Sequence, residues 1–527
     1  HPAGRPRLNG SVTMPLHPDS TTCAALASDL TAAGYTAEAL RNAWGSVGDA
    51  AIGRGLRGPA VRALAPRDDA LATLARLLGL GMQQPVNAVD GALPRTGAAG
   101  LVTLGLAMID GETVVPAALV RPQEWGGETD ADAGEWWIAS DLDEAALEGA
   151  LPTDHVLGVG GASLTLAALQ LPTPAGRVLD LGTGCGIQAL RARLYADQVV
   201  ATDISSRALG FARLSAALNG ADGIDVRHGS LFDPVAGERF DRVVSNPPFV
   251  ITPRGATADG VSAPAYEYRD GGAVGDDLVR QVVTGVADVL ADGGIAQFLG
   301  NWEYRDGRDG LDRVREWVAA ASVPMDAWVI EREILSPLDY AQLWVRDGGT
   351  PPGSPEYAAL IDLWLQDFEQ RGVTGIGFGY VLLRRPGAGT APLSRFERVS
   401  SPSPQEGLGA DLARAVAVHD VLGIRDDVGL AASVFTTAPD VTEARHFVPG
   451  AEDPTVIELH QGRGFGRTLT VDPGLAALVG ACDGDLPVGV LIDAIAELLE
   501  VDAAALRADL LPRVRELAFL GFLDPVA

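Results

Sequence analysis

A chain of 527 residues exceeds what one hydrophobic core usually serves, so two to four domains are expected. Its 40 basic side chains stand against 69 acidic ones, and the net charge of -29 repels a polyanion at long range, which excludes nucleic-acid binding without a local basic patch. Only Cys23, Cys185 and Cys482 are present, far apart and without metal-ligand spacing. This points to a cytoplasmic, reducing address with neither disulfide nor metal, and no apolar run approaches the roughly 20 residues that span a bilayer.

The first methionine is Met14, so the residues before it read as an expression remnant or an alternative start, and 1–19 are set aside as remnant or disordered. Residues 20–150 form an N-terminal α+β accessory domain. Thr36 is placed as the N-cap of a helix through Trp44, and Leu71, Leu74, Leu77 and Leu78 share a helix face that Gly79 and Gly81 end. Segments 104–109 and 113–120 flank Asp110-Gly111 as a hairpin, with Pro116 weakening the second strand, in the manner of a small winged-helix module.

From 151 to 386 strand and helix alternate. Segments 177–181, 198–203, 224–228, 240–245 and 295–300 read as strands, which implies a mostly parallel sheet covered on both faces. Two more extended segments, 328–335 and 375–384, enclose a helix at 356–370 and supply a last hairpin pair. Residues 387–409, rich in Pro, Gly and Ser, read as a linker. The C-terminal α+β domain, 410–527, has strands at 455–459 and 467–471 and two amphipathic helices, one marked by Ile492, Ile495 and Leu499, the other by Leu506, Leu510, Val514 and Leu517. A strand-like tail closes it, again in a winged-helix pattern.

Two motifs carry the chemistry. In Asp180-Leu181-Gly182-Thr183-Gly184-Cys185-Gly186 a buried strand enters a glycine turn that permits close approach of a ligand. Asp203, 23 residues after Asp180, ends the next strand, where a carboxylate can accept both hydroxyls of a ribose. Asp180 just before the turn would repel a phosphate and suits a cation. The second motif, Asn246-Pro247-Pro248-Phe249, follows the fourth strand, 66 residues after Asp180.

Together these motifs resemble the class I S-adenosylmethionine-dependent methyltransferases over residues 150–386. The resemblance implies an α/β fold with a central Rossmann-like seven-stranded domain between the two smaller terminal domains. It also implies S-adenosyl-L-methionine as cofactor, held by Asp180, Gly182, Thr183, Gly184, Cys185, Gly186, Asp203 and Ile204, by Ser230 and Leu231 beside the adenine, and by Asn246. Asn246 to Phe249 look like the signature of the branch that methylates planar nitrogens, either glutamine amides or nucleobase amines. Such a nitrogen shares its lone pair with a neighbouring π-system. The Asn246 side-chain oxygen and the Pro247 carbonyl can each take one N–H, the rigid prolines fix the direction, and Phe249 stacks on the planar group. These four are the expected catalytic residues, with no general base required.

The acceptor stays open. The stretch from Tyr268 to Leu278 is similar to release-factor glutamine methyltransferases, although 155–163 lacks their segment before the first strand. Phe249 and Asn301-Trp302-Glu303-Tyr304 are closer to ribosomal-RNA guanine methyltransferases. The acidity favours a protein or peptide acceptor over RNA or DNA. A small-molecule or peptide natural-product methyltransferase and a non-enzymatic cofactor-sensing interaction protein are the other readings. Trp136-Trp137, His155 and His228 are expected to be structural, and neither membrane association nor an oligomeric state is indicated.

Overall fold

Eight strands share one sheet in the computed structural model, which describes residues 14–126, 133–147, 151–255, 262–263, 271–399 and 407–526. In chain order they are β1 (Ala175–Leu181), β2 (Ala196–Asp203), β3 (Ile224–His228) and β4 (Phe240–Ser245), then β5 (Leu290–Arg305), β6 (Asp326–Leu335), β7 (Val373–Arg384) and β8 (Ser394–Arg398). Across the sheet the order is β3-β2-β1-β4-β5-β7-β6-β8. Strands β3 to β5 run parallel, and β7 is antiparallel to both its neighbours. The order reverses between β1 and β4, the switch point outside whose carboxyl ends ligands bind in open α/β sheets.

Five expected strands occur where the alternating pattern put them, and β5 runs longer at both ends. The eighth strand lies inside the stretch 387–409 that reads as a linker, and the sheet has eight strands rather than seven. Its residues Ser394–Arg398 pair with β6 at an edge, where charged Arg395, Glu397 and Arg398 are favoured and no apolar alternation is needed. The connecting helices are α1 (Gly161–Leu169), α2 (Ile187–Ala192), α3 (Ser206–Leu218), α4 (Asp277–Gly285) and α5 (Gly310–Ala319). Between β6 and β7 stand two more, α6 (Pro337–Asp347) and α7 (Pro355–Gln370), of which only the second is legible in the sequence.

The N-terminal helices and a small three-stranded sheet share a core with Cys185 and Leu190 and with Phe211 and Leu214 of α3, and the first helix and the strand Gly134–Ser140 lie directly against α3. Thr36 caps the helix Ala37–Ile52 by accepting from the Ala39 N–H at 3.1 Å, and Gly45, at φ 70°, bends the helix just after Trp44. In the hairpin Asp110 pairs with Thr113, so the turn is Gly111-Glu112, one residue later than expected, because Gly111 takes the positive φ. The chain turns away after Pro116, and Leu119–Trp125 pairs instead with Gly134–Ser140.

Trp136 and Trp137 lie in that second hairpin. Trp136 stacks on Trp125, and the Trp137 indole donates to the Tyr35 carbonyl, so both serve packing. Residues 14–19, set aside on sequence grounds, belong to the fold. Arg207 donates to the Met14 carbonyl at 3.0 Å, and Asp19 caps the first helix by accepting from the Thr22 N–H at 2.8 Å.

The C-terminal domain has two three-stranded sheets and the helices Leu408–Gly423, Pro473–Ala481, Val488–Leu498 and Ala503–Leu520. It covers one face of the central sheet. Trp328, Ile330, Tyr380 and Leu382 point into the C-terminal core, while the alternate residues Ala327, Val329, Val381 and Leu383 point into the core on the opposite face. Buried Arg384 joins Asp326 at 2.7 Å to Asp420 of the first C-terminal helix, also at 2.7 Å.

Candidate active site

The pairing of Leu181 with Ser245 in adjacent parallel strands puts Gly182 and Asn246 side by side at the carboxyl edge of the sheet. Ser245 Oγ donates to the Leu181 carbonyl at 2.7 Å and locks the two tips together. On the other side of β1 stands β2, ending at Asp203. The two motifs therefore meet at the switch point because β4, β1 and β2 are neighbours.

Gly182, Gly184 and Gly186 have φ of 74°, 56° and 91°, a region that side chains with a Cβ rarely occupy. A Cβ on Gly182 or Gly184 would meet nothing within 4 Å, so both face open space, whereas one on Gly186 would lie 3.1 Å from Ala212 Cα of α3. Two glycines thus leave room for a ligand and the third lets a helix approach. Asp180 is fully buried. Thr183 Oγ1 donates to its Oδ2 at 2.6 Å, while Oδ1 finds no hydrogen-bond partner among the described residues. Burial pushes the Asp180 carboxyl up to about 7.

Asp203 is aimed by two backbone donors, Gly184 N–H to Oδ2 and Ser205 N–H to Oδ1, both at 2.9 Å. Burial raises its pKa as well. Each oxygen keeps a free lone pair, enough for a pair of vicinal hydroxyls. Ile204 is 61% exposed and borders a cavity of about 540 Å³ lined also by Leu16, Asp154, Ser205 and Arg207. Ser230 is exposed. Leu231 holds a φ of 45°, strain that a side chain with a Cβ adopts only where its surroundings impose it. Cys185 points into the N-terminal core, and burial raises its thiol to about 11, so it offers a ligand only its backbone.

Asn246 carries the feature that bears most on chemistry: its side-chain Oδ1 is buried and, among the described residues, accepts no hydrogen bond. A buried acceptor left without a donor costs roughly 1–3 kcal/mol, so it marks a place where a ligand N–H would be rewarded. Pro247 is buried and Pro248 half-buried beside it. Phe249 is half-buried, with Trp344 of α6 and Phe378 of β7 edge-on at ring distances of 6.4 and 6.1 Å. Thr202 Oγ1 and Asn301 Oδ1 are also buried oxygens without partners among the described residues, so β1, β2 and β5 each carry one near this edge and Asn246 adds another just past β4. Such a row fits a polar ligand laid across the strand tips.

Sequence reasoning missed the wall beside Phe249. Tyr340, Trp344 and Phe378 come from elements far along the chain, and no local pattern links them to the motif. Of Asn301 to Tyr304, Trp302 and Tyr304 donate to buried Glu331, each at 2.6 Å, and Glu303 is held by Arg305 and Arg371, so these three build the core. Tyr268 to Asp270 lie outside the described residues. The stretch after them is pinned at Asp276, which accepts from the Glu303 N–H at 2.9 Å and from Arg313 at 2.7 Å. His155 is buried, which lowers its pKa, and His228 is exposed.

Fold and site together define a doubly wound α/β domain with a glycine turn and an Asn-Pro-Pro-Phe loop meeting at its switch point. Residues 159–260 match the family model described as methyltransferase small domain, while 32–118 and 421–525 match two domains of unknown function, DUF7059 and DUF7782. The chain is similar to a release factor glutamine methyltransferase of Geobacter sulfurreducens, 36% identical over 24% of this chain and 46% of the relative. It is similar also to a ribosomal protein uL3 glutamine methyltransferase of Bradyrhizobium diazoefficiens, at 34% over 29% and 48%. A ribosomal RNA small subunit methyltransferase C of Salmonella arizonae is 40% identical over 17% and 26%. The chain spans about half the length, or less, of these curated relatives. Among solved structures, a methyltransferase from Pyrococcus furiosus aligns with a TM-score of 0.25 at 16% identity, over 42% of this chain and 80% of that one. The resemblance read from the two motifs is thus met again in the family model and in the named relatives. Among the described residues no helix is long and apolar enough to cross a membrane, and no His, Cys, Asp and Glu cluster could hold a metal ion.

Proposed function

We propose that this chain is an S-adenosyl-L-methionine-dependent N-methyltransferase acting on a planar nitrogen of a macromolecule, the glutamine amide of a polypeptide foremost. The observation that carries this reading is the buried, unpartnered Oδ1 of Asn246 beside the open glycine turn. Asp180 would hold the cationic methionine end, Gly182 and Gly184 the body of the cofactor, Asp203 the ribose hydroxyls, and Ile204 with Leu231 the adenine. When bound, the cofactor supplies an electrophilic methyl on a sulfonium.

The protein's own part is alignment. Asn246 Oδ1 and the Pro247 carbonyl take the two N–H groups of the acceptor and aim its lone pair, and Phe249 covers the planar face and excludes water. No side chain need remove a proton before transfer, because the product nitrogen sheds it afterwards. A polypeptide acceptor is supported by the net charge of -29 and by the two glutamine methyltransferases among the relatives. A nucleobase amine is the second reading, supported by Phe249 and by the ribosomal RNA relative.

The test uses labelled cofactor with a recombinant release factor, ribosomal protein uL3 and ribosomal RNA offered in parallel. Label is expected in polypeptide, and label in RNA alone transfers the case to the second reading. Asn246→Ala is expected to abolish transfer while calorimetry finds cofactor affinity within a few fold of the parent. Undiminished turnover in that variant, or a full-length protein that binds no cofactor, removes the proposal.

A further inference from the structure

The motif loop is tied at both ends, and the second tie comes from an unexpected element. Ser245 fixes the entrance to β1. Five residues beyond Asn246, the Ile251 N–H donates to the hydroxyl of Tyr340 in α6 at 2.9 Å, and Asn301 Nδ2 of β5 donates to the same oxygen at 2.7 Å. Tyr340 is fully buried, with its ring 5.8 Å from Trp364, 5.8 Å from Phe368 and 5.7 Å from Phe378. Val250 and Ile251 are buried in this same cluster.

Between the two ties run Pro247 and Pro248, whose rings lock φ and leave fewer backbone torsions to absorb a shift at Ile251 before it reaches Asn246. We propose that Tyr340 is a positioning residue for methyl transfer: from the helical insertion between β6 and β7 its hydroxyl clamps the far end of the Asn246–Ile251 loop and sets where the acceptor nitrogen is held. This inference rests on the N-methyltransferase reading. It extends that reading to an insertion lying beyond the matched residues 159–260. The expected effect is large, since misplacing a reacting group by about 1 Å can cost on the order of 100-fold in rate.

Tyr340→Phe in the full chain keeps the ring and removes only the hydroxyl. With labelled cofactor and the release factor, uL3 or ribosomal RNA, whichever the parent methylates, kcat is expected to fall about 10- to 100-fold. The acceptor KM and the calorimetric cofactor Kd are expected to stay within about threefold, since neither site loses a contact. Hydrogen exchange is expected to accelerate at the Ile251 amide while helix α7 keeps its protection. A kcat within twofold of the parent overturns the inference alone. So does a cofactor Kd that worsens in step with kcat, or a variant that no longer folds, because each assigns the hydroxyl to the core. A parent protein that methylates none of the three acceptors removes the proposed function and this inference with it.

Discussion

Asp180 is the residue whose surroundings most strain its ordinary chemistry. Its folded value near 7 lies above that of an unfolded aspartate, so between about pH 4 and 7 the folded state binds the extra proton and stability declines as pH rises. A cationic ligand needs the carboxylate. Cofactor affinity is therefore expected to fall about tenfold per pH unit below about 7 and to level off above it. Titration calorimetry from pH 6 to 8 checks this, with Asp180→Asn weak and flat throughout and melting higher than the parent at pH 8. The glycines separate in the same way. Gly184→Ala meets open space, so it is expected to cost roughly 1–2 kcal/mol of backbone strain and chiefly to weaken cofactor binding. Gly186→Ala adds a close approach to the Ala212 backbone and is expected to show the larger loss in a thermal melt.

At the scale of elements, the strands β1 to β4 and their loops were legible because each is a short apolar or alternating stretch that ends at or just before a Gly, Asp or Asn-Pro turn. The helix α6 was not, since Pro337, Asp339 and Asp347 dilute its apolar face. Strand β8 hid among prolines for the same reason. The stretch before α4 is held by an ionic cluster that no local pattern announces. Asp276, 1% exposed, meets Arg313 at 2.7 Å and Arg305 at 3.5 Å, and Arg305 also reaches Glu303, which is itself bound to Arg371. Removing Asp276 leaves the partly buried Arg313 guanidinium without this counter-charge and the Glu303 N–H without its acceptor, while Arg305 keeps Glu303. Asp276→Ala is expected to destabilise the chain by about 3–5 kcal/mol in urea unfolding, while an exposed pair such as Arg41 with Glu124 is expected to yield under 1 kcal/mol when broken.

Across the whole molecule, the terminal modules are continuous with the central one in their cores. Trp328 lies 4.6 Å from Phe519, centroid to centroid, and Ile330 and Leu382 share that cluster. Ending the chain after residue 399 would bare this face of the sheet. The truncated protein is expected to aggregate or to bind an apolar dye strongly, and a soluble, dye-silent product with unchanged melting would contradict the shared core. On the other side Arg207 pairs with Asp141 and reaches the Met14 carbonyl, so 14–19, which sequence reasoning put outside the fold, closes the N-terminal contact.

By itself the sequence determined the strand alternation, the glycine turn after Asp180, the carboxylate at Asp203 and the Asn246 motif, because all of these are properties of short contiguous stretches. Only the tertiary structure decided that Asn246 keeps an oxygen without a donor among the described residues, that Cys185 turns away from the turn, and that Tyr340 stands behind the loop. The physical reason is range. The Tyr340 contact with Ile251 joins residues 89 apart, and whether a polar atom finds a partner depends on every element packed around it, which no local periodicity encodes.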